Sequence, residues 1–67
     1  MSKTFEIIER VGVSNESISD AVKSVVNEAN SEKKVSWFNV VEQRGRITND
    51  GKIEFQVAVK IGIKLTE

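Results

Sequence analysis

The chain has 67 residues, ten basic and ten acidic, and so carries no formal net charge at pH 7. Nucleic-acid binders cluster a basic surplus against phosphate, and a bilayer span needs about 20 consecutive apolar residues; the sequence offers neither, which argues against both partners. Cysteine and histidine are absent, which excludes disulfides and removes the usual transition-metal ligands, the commonest general base and the strongest nucleophile.

Residues 1–67 read as one domain, with no linker, repeat or low-complexity stretch. A domain this small buries only about 60% of the surface its unfolded chain exposes. Without disulfides or a metal, self-association is the remaining route to stability. Met1 to Glu6 lacks the charged-then-apolar layout of a secretion signal, which together with the missing cysteine fits the cytoplasm.

Thr4 to Val11 is rich in β-forming residues and predicts a strand that stops at Gly12. Phe5, Ile7 and Val11 share one of its faces, and Thr4, Glu6, Ile8 and Arg10 the other. Ser14 or Asn15 is placed to cap the following helix, with Glu16 in the first turn where the dipole favours an anion. Ile18, Ala21, Val22, Val25, Val26 and Ala29 recur at the spacing of an amphipathic helix with one buried stripe. Asn30 and Ser31 predict fraying at its end.

Val35 to Thr48 reads as a second strand and Asn49 to Lys52 as a turn, with Asp50-Gly51 predicting a type I′ hairpin. In the third strand, Ile53 to Leu65, every odd position is apolar, while Glu54, Gln56, Lys60 and Lys64 occupy even ones. The fold class is therefore α+β: a βαββ chain whose three strands form an antiparallel sheet of order 1-3-2, packed on one helix. With Asp50 and Gly51 at the tip, facing residues have numbers summing to about 101. Phe38 and Val40 then join Ile61 and Ile63 on the covered face, while Trp37 and Val41 join Gln56, Lys60 and Lys64 on the open one. Gly45 is the candidate for a bulge that would alter this register. Val41 and Ile47 on an open face, with unpaired strand edges, give the chain reasons to associate.

Trp37 on an open face marks either packing against another subunit or contact with a ligand, and the residues alone leave both readings standing. Gln56 lies roughly 25 Å from Trp37 along the hairpin. One ligand touching both requires strand curvature or a second subunit.

Taken together, Val11-Gly12-Val13-Ser14, Ser36-Trp37-Phe38-Asn39-Val40, Arg44-Gly45, Phe55-Gln56-Val57 and Gly62-Ile63-Lys64-Leu65, in this order around the amphipathic helix, resemble the dodecin family from end to end. The resemblance implies a hollow homo-dodecamer that stores and sequesters flavin, riboflavin or its phosphate FMN, without catalysing a reaction. It implies paired flavin rings stacked between symmetry-related copies of Trp37, a hydrogen bond from Gln56 to the ring, and Arg44 near the phosphate. It also implies coenzyme A as a further partner of some members. Many relatives carry an acidic residue before the tryptophan, where this chain has Ser36. Arg46 shares a strand face with Arg44 by alternation, which favours a phosphorylated flavin.

Without the resemblance, Gln56 reads as a solvated strand residue, and Arg44 as a partner of Glu42 or Glu54. Three rivals remain. An enzyme lacks its usual base and nucleophile; nucleic-acid binding on the open sheet lacks a charge surplus and a second exposed aromatic. A purely structural oligomer would bury Trp37 against a neighbour and take up no flavin.

Overall fold

The structure, a computed structural model, describes residues 3–65. It contains β1 (Phe5–Ser14), α1 (Ile18–Glu32), β2 (Val35–Ile47) and β3 (Ile53–Lys64). The strands form one sheet of order β1-β3-β2, antiparallel at both junctions. The 1-3-2 arrangement follows from the connections. The helical crossover leaves β1 and β2 running the same way, and the hairpin returns β3 between them.

The alternation in β3 sorts its side chains. Val57, Val59, Ile61 and Ile63 are buried beneath Ala21, Val25 and Ala29 of α1, with Ile8, Ile18, Val22, Val26, Val35 and Val40 packed around them. Each fully buried valine or isoleucine side chain among them stabilises the fold by about 1.5–3 kcal/mol. Placing the most apolar strand in the centre covers both its edges and gives the helix its seat.

β1 does not stop at Gly12 but runs on to Ser14. Gly12 is buried within the strand, where a β-carbon would lie 2.4 Å from the Ala21 carbonyl oxygen. The residue read as a breaker is a point where helix and sheet approach too closely for a side chain.

Ser17, rather than Ser14 or Asn15, caps α1, accepting from the Asp20 amide at 2.9 Å with extended backbone at φ −169°. Ser14 organises the approach instead: its hydroxyl accepts from the Glu16 amide at 2.9 Å and donates to Asp20 at 2.7 Å. Glu16 precedes the cap, and Asp20 is the acid of the first turn. The helix continues through Asn30 and Ser31 to Glu32. The Asn30 side chain accepts from the Val35 amide at 2.9 Å and so turns the chain into β2.

The hairpin differs from the type I′ expectation. Gly51 has φ +82°, and no other described residue has positive φ. Gly51 donates to the Thr48 carbonyl at 2.9 Å, and Thr48 to the Lys52 carbonyl at 2.8 Å. This is a three-residue connection, a turn followed by a left-handed glycine. The extra loop residue moves the register by one, so that Ile47 faces Ile53 and Arg44 faces Gln56. Gly45 faces Phe55 within regular pairing; the irregularities fall between Val35 and Trp37 and between Val40 and Glu42. Val41 is the extra residue of the second. Ile47, paired with Ile53 at an odd position of β3, belongs to the helix-side face beyond the reach of α1, not to the open face.

Candidate functional site

The face of the sheet away from α1 divides into two halves. Along β1 it carries Phe5, Ile7, Val11 and Val13, all more than 40% exposed, interrupted by Glu9 beside Lys60. Along β2 it carries Trp37, Asn39, Glu42, Arg44 and Arg46, each placed by its partner at an even position of β3. The Val41 bulge is what makes this possible. Before it the odd residues of β2 face outward, and after it the even ones do. Without it Trp37 and Arg44 would point to opposite sides of the sheet.

Trp37 faces Gly62. A β-carbon on Gly62 would lie 2.1 Å from Cε2 and 2.4 Å from Nε1 of the indole, so the ring covers the glycine backbone. One side of the ring rests on the sheet, and the residue remains 39% exposed. Sequence reasoning placed Trp37 on this face but passed over Gly62 as its seat; the signal was a glycine at a position where alternation calls for a polar side chain. An open groove of about 440 Å³, lined by Val26, Asn30, Val35, Trp37 and Phe38, adjoins the tryptophan and includes neither Gln56 nor Arg44.

Gln56 is half-buried at the other end of the face. Its Oε1 accepts from Arg44 Nε at 2.8 Å, and its Nε2 donates to Glu54 at 2.9 Å. Arg44 also donates to Glu42 at 2.9 Å, and Arg46 to Glu54 at 2.7 Å. The Arg46 hydrogen bond, seconded by Gln56, holds the Glu54 carboxyl below the ordinary carboxylate range. Arg44 and Gln56 are thus brought together on the open face; the sequence places Gln56 there, whereas uninterrupted alternation puts Arg44 on the covered face, and the Val41 bulge turns it outward. Trp37 is not brought to them: from Gly62 to Gln56 is six steps of β3, about 20 Å.

A flat heteroaromatic ligand fits what each end offers. The exposed indole presents a π surface. The Gln56 amide keeps one N–H and one lone pair after its two internal bonds, and Arg44 keeps three N–H groups. Among the described residues, no group of three or more aspartates and glutamates is placed to hold a metal, and no helix is long and apolar enough to cross a membrane.

A 1-3-2 sheet with one helix-covered face, and an open face split between apolar and ion-paired halves, defines a small βαββ protein. Comparison with known proteins gives the family: the Dodecin model matches residues 4–66. A dodecin of Thermus thermophilus is 34% identical over 68 residues, covering 100% of this chain and 99% of that protein. The structure of a dodecin from Streptomyces davaonensis superimposes with a TM-score of 0.87 at 31% identity, over 100% of both chains. That of dodecin from Streptomyces coelicolor gives 0.85 at 33% identity, over 97% of this chain and 94% of that one. The chain belongs to the dodecin family. A calcium dodecin of Mycobacterium tuberculosis, 22% identical with a TM-score of 0.85, shares the fold.

Proposed function

We propose that this chain is a cytoplasmic flavin-binding subunit, a single domain of a hollow homo-dodecamer that stores and sequesters riboflavin or FMN without turnover. The observation that carries the reading is Trp37, seated over Gly62 on the open face with its outer side accessible. A flavin stacks on this side, and a symmetry-related Trp37 closes the stack beyond a second flavin. Each aromatic contact adds roughly 0.5–1.5 kcal/mol beyond area burial. Gln56 supplies a donor and an acceptor to the ring edge, and the unused N–H groups of Arg44 meet a phosphate where the ligand has one.

The roughly 20 Å between Trp37 and Gln56 in one chain supports a site shared between subunits. So does the exposed apolar row of β1, which a monomer would leave in water. Sandwiching the ring also denies substrates its reactive face, which favours storage over catalysis.

Titration of flavin-free, assembled protein with riboflavin and with FMN tests this reading through the fluorescence of both partners. Trp37 is the sole tryptophan, so its quenching has one source. Mutual quenching should saturate at about one flavin per subunit, and Trp37→Ala should abolish the stacked complex. An assembled wild-type protein that quenches neither flavin leaves the purely structural oligomer as the function.

A further inference from the structure

Gln56 is held between two partners of fixed and opposite polarity. The Arg44 guanidinium, donating from Nε to Oε1 at 2.8 Å, has donors only. Glu54, accepting from Nε2 at 2.9 Å, is kept ionised by Arg46 and has acceptors only. A glutamine amide has nearly the same shape in either orientation, and its orientation is set by its neighbours. Here the reversed amide would set N–H against N–H on one side and oxygen against carboxylate on the other. Both charge-assisted bonds would be lost and two repulsive contacts made. The Glu54 side chain is only 18% exposed, so water substitutes poorly for it, and Glu42 steadies Arg44 from the far side at 2.9 Å.

We propose that Arg44 and Glu54 are positioning residues that fix the donor–acceptor polarity of Gln56, so that the open face reads one order of donor and acceptor on the edge of a flat ligand. The proposal rests on the flavin reading and deepens it. The pyrimidine edge of a flavin sets an imide N–H between two carbonyl oxygens. The free lone pair of Gln56 accepts from the imide, and its free N–H donates to one of the two carbonyls. The locked amide decides which carbonyl that is, and therefore which way round the ring lies. Arg44 in this role acts on riboflavin, which has no phosphate, as much as on FMN.

Replacing both one-way partners with amides, Arg44→Gln with Glu54→Gln, unlocks Gln56 and leaves the net charge unchanged. Assembled wild type and double variant are titrated with riboflavin and with 3-methylriboflavin, whose imide N–H is blocked, following Trp37 fluorescence. Wild type should prefer riboflavin by about tenfold or more, as expected for a hydrogen-bonded pair made with one ligand and lost with the other. In the double variant the preference should fall to about threefold or less, whatever loss the two ligands share. A merely structural loss would weaken both ligands together. An unchanged preference in the variant, or no preference in wild type, overturns the polarity role while the flavin reading stands. A wild type that takes up neither flavin overturns both. Should the double variant fail to assemble, Glu54→Gln alone carries the same readout.

Discussion

The Trp37 indole is placed by an absence. Gly62 lacks the side chain that would occupy the ring's position, so the ring lies against the backbone and keeps its other side free. Gly62→Ala puts a carbon 2.1 Å from Cε2, far inside van der Waals contact, and must lift the ring. The expected outcome is flavin affinity weakened by about tenfold, or roughly 1.4 kcal/mol, with a shifted tryptophan emission maximum and little change in the core. Retained affinity with an unshifted spectrum would show that the indole does not depend on this seat. Gly12 works in the same way on the other face, admitting the backbone of α1. In the sequence both glycines read as punctuation or small strand residues, because what needs their space belongs to segments distant in the chain.

At the scale of elements, α1 is fastened at both ends. Ser17 and Ser14 satisfy its first turn and entry. Near its last turn Arg10 of β1 grips Glu32 through two hydrogen bonds, at 2.8 and 3.0 Å, and Lys33 approaches Glu6 at 3.8 Å. The Arg10 hydrogen bond, with its charge, holds the Glu32 carboxyl below its ordinary value of 4.5, and Glu54 and Asp50 are lowered likewise. A carboxylate with a depressed folded-state pKa contributes stability that is complete above the unfolded value and lost as pH falls through the folded one. Melting temperature should therefore decline as pH drops below about 4.5. Glu32→Gln should melt lower than wild type at neutral pH and converge on it in acid. Parallel curves for the two proteins would remove the clamp from the account. Glu32 and Asp50 are exposed, so their part of the effect should shrink in high salt.

At the scale of the whole molecule, the principal extents of 53 × 20 × 15 Å describe an elongated body. The 15-residue helix covers about 22 Å of that length. The hairpin arm projects past it with Ile47 and Ile53 exposed, and the open face leaves Phe5, Ile7, Val11 and Val13 in solvent. A chain with so small a core and so much apolar sheet would gain stability by covering that sheet with copies of itself. Ile7, 57% exposed and lying across Gly62 from Trp37, tests this. In a monomer Ile7→Lys is nearly neutral, within about 0.5 kcal/mol. In an assembly that buries this row it should reduce the molecular mass measured by light scattering and lower the melting temperature. An unchanged mass would exclude the β1 row from the subunit contact.

Periodicity and turn residues alone determined the element order, the sheet order and the buried stripe of α1, because each is a local pattern repeated over many residues. The odd-even alternation of Ile53 to Leu65 could form nothing but a half-covered strand, and the stripe from Ile18 to Ala29 nothing but its cover. Trp37, Gln56 and Arg44 were legible as candidates from residue type and family resemblance, and the open-face position of Trp37 from alternation. What only the tertiary structure decided were the one-residue events. The connection at Gly51 has three residues instead of two, and Val41 bulges where Gly45 was the candidate. Since side chains alternate with a period of two, each such event reverses the face of everything beyond it. The cost difference between neighbouring bulge positions is set by packing across the sheet, which no local pattern records. The locking of Gln56 by Arg44 and Glu54 depends on that register as well. It is the register that sets those three side chains on one face, within reach of one another.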